Sequence, residues 1–213
     1  MSLIFFQSLL IAYSGAIMPG TLLTYTLDMS LKKGIKAGVL IPLGHAILEA
    51  FVVILLFLGL GKYITTPMSK MIIGIIGGAV MVYLGITMIK DILQKRLSFN
   101  VKSNDSSYKR NLEMVIGGFV ISAVNPYFTI WWAIIGLSLM TSAYSLHGFV
   151  GVSLFYTGHI IADISWYLLI AILISKTKRF INLKAYSVII GVLGLVMICF
   201  GINFFVQSIK TII

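Results

Sequence analysis

Apolar residues fill long unbroken runs in this chain, and polar residues are confined to short gaps between them. Reading from gap to gap gives six runs, at about 3–27, 38–61, 71–89, 114–140, 148–175 and 185–209. Each run is apolar nearly all round, without strand-like alternation. A helix needs about 20 such residues to cross a hydrocarbon core of roughly 30 Å, and only helices or closed barrels satisfy their backbone groups there. The pattern predicts an all-α integral membrane protein of six transmembrane helices. A five-span alternative, in which the first helices are divided differently, stays open at this point.

Composition sharpens the picture. Of 213 residues, 59% are hydrophobic and 10% charged, with a mean hydropathy of +1.05. A soluble domain carries about a quarter charged residues, so lipid must be the solvent and function must lie in the membrane. The formal charge of +10 does not imply nucleic acid, because the basic residues sit in the gaps and form no stripe with interleaved aromatics. Thirteen of the 16 Lys and Arg fall in the first, third and fifth gaps; Lys62, Lys70 and Lys210 are the rest. Positive loops stay in the cytoplasm, so both termini of this multi-pass cell-membrane protein are expected outside. Met1 to Phe6 contain no Lys or Arg and so no signal-peptide n-region, and the first run is too long for an h-region, so it is expected to stay in the mature protein. Cys199 is the only cysteine, which excludes an internal disulfide and a thiolate metal cluster. No phosphate-binding loop, HExxH, GxSxG or dinucleotide fingerprint occurs, so neither an enzyme nor a cofactor is expected.

The chain also repeats itself. Gly44-His45-Ala46-Ile47-Leu48-Glu49 in the second run matches Gly158-His159-Ile160-Ile161-Ala162-Asp163 in the fifth. Ile73-Gly74-Ile75-Ile76-Gly77, Met81 and Gly85-Ile86-Thr87 match Ile190-Gly191-Val192-Leu193-Gly194, Met197 and Gly201-Ile202-Asn203, with a one-residue gap. Pro19 in the first run has a counterpart in Pro126 in the fourth. The polar stretch 94–113 then separates two three-helix repeats, 1–93 and 114–213. Three helices per copy invert the second copy in the membrane, a construction that places a substrate site at the midplane.

Candidate chemistry lies inside the repeat. Pro19 and Pro126 fall near the middle of their runs, and each is expected to break its helix and free a carbonyl, those of Gly15 and Ser122. Gly20 and Asn125 flank them and let the backbone open further. Glu49 and Asp163 are two of only six acidic residues, and both sit at run centres. A charge there costs at least about 2.5–3.5 kcal/mol, so its presence points to function. His45 and His159 precede them by four residues, on the same helix face. Such a pair can take up and release a proton, or balance a substrate ammonium. The bland alternative is a polar clamp between helices. Asp28 is expected to pair with Lys32 or Lys33, and His147 to be ordinary loop surface. Trp131, Trp132, Trp166 and Tyr167 read as belt or core more than as pocket lining. Gly74-x-x-x-Gly78 suits close helix contact, and Thr21, Thr24, Tyr25, Thr87 and Asn203 are further polar candidates.

Met18-Pro19-Gly20, Gly34-x-x-x-Gly38 and Asn125-Pro126 together resemble the lysine exporter (LysE/RhtB-type) translocator family. The resemblance spans nearly the whole chain and is strongest at 15–50 and 117–135. It departs where the family's usual Pro-Gly-Pro reads Pro19-Gly20-Thr21, and where its Gly-x-x-x-Gly-Asp gives way to Gly44-His45 with Glu49 further on. The resemblance implies export of an amino acid driven by proton motive force, with Pro19, Gly20, Asn125 and Pro126 at motif positions. The expected partners are thus a small-molecule substrate, protons and the lipid bilayer, and a homo-oligomer is compatible with the sequence. Divalent-metal export through the two His and two carboxylates is the alternative, and a non-transporting membrane scaffold is a third.

Overall fold

The computed structural model describes residues 1–18, 20–59, 63, 66–94, 107–177 and 183–210. Among them there is no strand; the fold is all helical. In chain order the helices are α1 (Ser2–Ala16), α2 (Thr21–Lys33), α3 (Ala37–Phe57), α4 (Pro67–Leu93), α5 (Ser107–Ala123), α6 (Pro126–Trp131), α7 (Leu137–Thr177) and α8 (Leu183–Lys210). A 3-10 turn, Gly34–Lys36, joins α2 to α3, and a π turn, Trp132–Gly136, joins α6 to α7.

Four stretches are long and apolar enough to cross a membrane: Thr21–Phe57, Pro67–Leu93, Pro126–Thr177 and Lys184–Lys210. Ser2–Ala16 and Asn111–Ala123 are shorter apolar helices. Two runs read as continuous in the sequence are interrupted, the first at 17–18 and 20 and the fourth at 124–125. The fourth and fifth runs part where expected, at a turn inside the stretch designated α7. His147 (φ −144°, ψ 20°) and Gly148 (φ 57°, ψ −139°) leave helical geometry, and an ideal Cβ on Gly151 would fall 2.0 Å from Ala143 O. The chain therefore folds back on itself at Gly148, where the left-handed φ favours glycine. α7 is two antiparallel arms, 137–146 and 149–177, and His147 is exposed at their turn, as expected. One boundary moves: α5 begins at Ser107, inside the stretch read as linker, while 95–106 lie outside the described residues.

Small residues set the helix packing. In hydrocarbon there is no hydrophobic drive between helices, so close backbone approach and hydrogen bonds must supply the attraction. α4 packs on α8 along a glycine seam: an ideal Cβ on Gly78 would lie 2.7 Å from Gly201 O, and one on Gly85 2.5 Å from Gly194 O. Gly74 meets Ser208 on the same seam, so the Gly74-x-x-x-Gly78 reading holds. α3 packs on α5, where a Cβ on Gly44 would fall 1.9 Å from Val115 O and one on Gly118 2.0 Å from Ile41 O. α1 packs on the second arm of α7, where Gly158 faces Phe5 O and Ser8, and Ser8 Oγ donates to Phe155 O at 2.6 Å. Large apolar side chains such as Leu3, Leu10, Phe51, Ile76 and Val192 remain exposed on the outer faces, as suits lipid contact.

Candidate functional site

α3 and the second arm of α7 cross at the centre of the molecule. Tyr156 Oη donates to Ala46 O at 2.8 Å, and Gly38 lets α3 close on Tyr167 and Ala171. That crossing brings the two His/carboxylate pairs into one cluster. His45 Nε2 lies 3.2 Å and His159 Nε2 2.8 Å from the same atom, Glu49 Oε1. Asp163 Oδ2 lies 3.3 Å from His159 Nε2 and 4.0 Å from His45 Nε2. The i, i+4 pairings expected from the sequence are present, but the shortest contact runs between helices. All four side chains are buried; Glu49 is 1% exposed and Asp163 3%.

Hydrogen-bond donors around the cluster are arranged unevenly. Ser122 Oγ lies 2.7 Å from Gly118 O, which can only accept, so the hydroxyl proton is committed there. His45 Nδ1, 2.7 Å from the same Oγ, is then the donor of that pair, and its Nε2 is left facing the two carboxylates. Trp132 Nε1 donates to Glu49 Oε1 at 3.2 Å. Glu49 Oε2, His159 Nδ1 and Asp163 Oδ2 make no hydrogen bond among the described residues. A buried carboxylate oxygen without a donor is costly, so these atoms mark where a ligand or proton can be received.

A cavity of about 360 Å³ opens onto the cluster. Its walls include His45, Glu49, His159, Asp163, Gly20, Asn125, Trp131, Trp132 and Tyr167. Seven of the eight residues singled out from the sequence are placed, and six of them, all but Pro126, line this space. Pro126 is buried as the first residue of α6, against Gly77. Pro19 lies outside the described residues. The freed carbonyls do not stay free: Met18 N–H donates to Gly15 O at 3.2 Å and Asn125 N–H to Ser122 O at 3.1 Å. Tighter i+3 bonds take the place of the lost i+4 bonds, so the breaks offer helix starts and not bare oxygens. Asn125 Oδ1 caps α6 by accepting from Tyr127 N–H at 3.0 Å. Gly20 leaves the first N–H groups of α2 without a side-chain cap, and its ideal Cβ position is 3.8 Å from Asn125 Nδ2.

Trp132 is core, as expected, buried at 2% exposure with Met140 and Phe155, and Trp131 packs against the same cluster. Both also line the cavity, with rings 4.7 Å (Trp131) and 5.2 Å (Trp132) from the His159 ring. Their position about one turn after Asn125-Pro126 was the available signal, since a helix restarted beside a cavity aims its first turns at it. Tyr167 is buried on the cavity wall, while Trp166 packs, half-buried, against the core cluster that contains Ile41, Met114 and Tyr167 and is not part of the wall. Thr21, Thr24, Tyr25 and Thr87 line a second cavity, and Asn203 is exposed on α8. Asp28 pairs with Lys32 at 2.7 Å, as expected, and also accepts from Tyr186 Oη.

A family model described as "LysE type translocator" matches residues 13–208. Among curated proteins, the chain is similar to "Putative amino acid efflux protein YcgF" of Bacillus subtilis (strain 168), at 24% identity over 189 residues, 88% of each chain. No solved structure matches.

Proposed function

The chain belongs to the LysE type translocator family, and from that premise we propose that it exports an amino acid or similar small zwitterion, coupled to protons. One observation carries the reading: two histidines and two carboxylates converge within hydrogen-bond range in a cavity reached by two interrupted helices. A zwitterion fits both ends of that cavity. Its ammonium meets Glu49 and Asp163, whose Oε2 and Oδ2 lack donors. Its carboxylate meets the uncapped start of α2, where N–H groups and the positive end of the helix dipole favour an anion, with Asn125 Nδ2 beside it. Protons that bind the same carboxylates compete with the ammonium, which is the simplest route to coupled exchange. The efflux named for the Bacillus subtilis relative agrees with this direction.

The proposal includes six spans in two inverted repeats. The packing supports it: α1 against the second arm of α7 is the counterpart of α5 against α3, with Gly158 and Gly44 at equivalent contacts. Gly85 and Gly201, matched across the halves, likewise each meet a glycine carbonyl of the facing helix, those of Gly194 and Gly78. The basic gaps put the 94–113 stretch in the cytoplasm and both termini outside. In a Cys199→Ser background, a cysteine at Ser2 should react with an impermeant thiol reagent in intact cells, and one at Ser106 should not. Labelling of Ser106→Cys with Ser2→Cys protected would reverse the orientation.

The deciding experiment compares cells with and without the protein for retention of each amino acid after loading with dipeptides. Export predicts lower internal levels of one amino acid or a small group, and unchanged levels for every amino acid would reject the reading. A specific geometry favours the divalent-metal alternative: one ligand atom each from His45, Glu49 and Asp163 lies within 4.8 Å of the others. Micromolar binding of zinc, nickel, cobalt or manganese to the purified protein, with rescue from the same metal's toxicity, would favour that cargo.

A further inference from the structure

Besides the central cavity, a second one of about 160 Å³ lies among α2, α4, α5 and α8. Thr21, Thr24, Tyr25 and Asp28 line it from α2, and Thr87 and Asp91 from α4. We propose that this cavity is a second binding site for the ammonium group of the exported solute, on the side of the basic loops. The proposal rests on the export reading above and extends it by naming where the solute is held before it reaches Glu49 and Asp163.

Three independent features support the assignment. First, the cavity carries unspent hydrogen-bonding capacity. Thr21 is 3% and Thr24 6% exposed, both line the cavity, and neither Oγ1 has a hydrogen-bond partner. Buried hydroxyls are normally satisfied, so the pair points to a polar ligand that comes and goes. Second, the charge on the walls has the matching sign. Asp28 and Asp91 are set against one lining cation, Lys32, which leaves a negative surplus suited to an ammonium and hostile to an anion.

Third, the repeat predicts such a site. Pro19 and Pro126 are 107 residues apart, and the same separation maps Thr21, Thr24, Tyr25 and Asp28 onto Phe128, Trp131, Trp132 and Ile135. All four counterparts line the central cavity. The second cavity is thus the image of the part of the central cavity bounded by α6 and the π turn, seen from the opposite face. Thr21 faces the second cavity while Gly20 and Leu22 face the first, so the opening turn of α2 is the partition between them. At the far end, the contact of Tyr186 Oη with Asp28 ties α8 to α2, over a plug of Leu31, Tyr186 and Ile190. An ammonium that competes for Asp28 would loosen that tie, which couples arrival of the solute to opening of the basic-loop side.

The test uses Thr24→Cys, with Thr21→Cys as a second position, in the full-length Cys199→Ser protein in vesicles of known orientation. The probes are the trimethylammonium-ethyl and sulfonato-ethyl methanethiosulfonates, of similar size and opposite charge. The expected result is reaction from the basic-loop face only, with the cation at least about tenfold faster than the anion, as focusing by a carboxylate-lined cleft gives. Asp91→Asn should cut that ratio severalfold. Equal rates for the two reagents, no reaction at either position, or reaction only from the face of the termini would overturn the proposal. Labelling needs no transport, so the two readings fail separately. Absent amino-acid flux in wild-type vesicles rejects the export reading, whereas charge-blind labelling rejects the second site.

Discussion

Glu49→Gln is expected to abolish net export, with a loss of initial rate of about a hundredfold or more, while the protein still reaches the membrane in normal amount. The expectation follows from what Oε1 does. It accepts from Trp132 Nε1 and receives His159 Nε2 at 2.8 Å, and a Gln amide oxygen can keep both contacts. The neutral amide preserves the local packing and removes only the charge. With that charge gone, His45 and His159 lose their nearest counter-ion, and an incoming ammonium meets one carboxylate where it met two. Removing one member of a buried, hydrogen-bonded charge pair costs a bound partner about 2–5 kcal/mol, and tenfold corresponds to about 1.4 kcal/mol, so a hundredfold lies within that range. Asp163→Asn is expected to behave similarly, because Oδ2 faces both imidazoles from the other helix. Flux of the identified amino acid from everted vesicles, normalised to immunoblotted protein, measures both. Solute-for-solute exchange moves no net proton, so exchange that survives in one variant but not the other identifies the proton carrier. Wild-type flux from both variants would remove the cluster from the transport pathway and leave it as the polar clamp between α3 and α7.

Much of this site was legible because hydrocarbon penalises polar groups so heavily. Two carboxylates at run centres could not be there by neglect, and His45 and His159 at i, i+4 fixed which helix face they share. The fold class followed from the same solvent argument, since runs apolar on all sides have no other medium. What the residues could not show was the crossing between helices. The contact of His159 with Glu49 joins residues 110 positions apart and depends on how Gly38 lets α3 approach the second arm of α7. Ser122 was noted for its carbonyl, yet its hydroxyl orients His45, a role visible only once α5 lies against α3. Trp131 and Trp132 pack in the core, one of the roles their composition suggests, and only the restart of the helix at Pro126 makes them cavity walls as well. The turn at His147 and Gly148 was legible as the gap between the fourth and fifth runs; what composition did not show is that helix continues to 146, so that the fold-back rests on the left-handed φ of Gly148.

The second large effect concerns folding, and it separates glycines that hold the helices together from one that serves the cavity. Gly44→Ala should sharply reduce folded protein, because its Cβ would sit 1.9 Å from Val115 O and 2.9 Å from Phe119 N. Both obstacles are α5 backbone, so no rotamer change relieves them; α3 and α5 must part by more than about 1 Å. Overpacking in a tight core costs about 1–3 kcal/mol, and backbone against backbone belongs at the top of that range or above it. Parting α3 from α5 also pulls His45 away from Ser122, so surviving protein loses the orientation of one imidazole. Gly158→Ala, its counterpart in the other half, should destabilise too but less, since its closest obstacle is Phe5 O at 2.5 Å. Gly20→Ala is the contrasting case. Gly20 has φ −166°, extended backbone open to any residue, and its Cβ would meet nothing nearer than Asn125 Nδ2 at 3.8 Å. It should fold at wild-type level, with any loss confined to transport, because the added methyl enters the cavity beside the start of α2. Fluorescence-detected size exclusion and melting temperature in detergent rank the three. A melting temperature for Gly44→Ala equal to that of Gly20→Ala would mean that α3 and α5 do not pack through Gly44, and the placement of His45 beside Ser122 would fall with it.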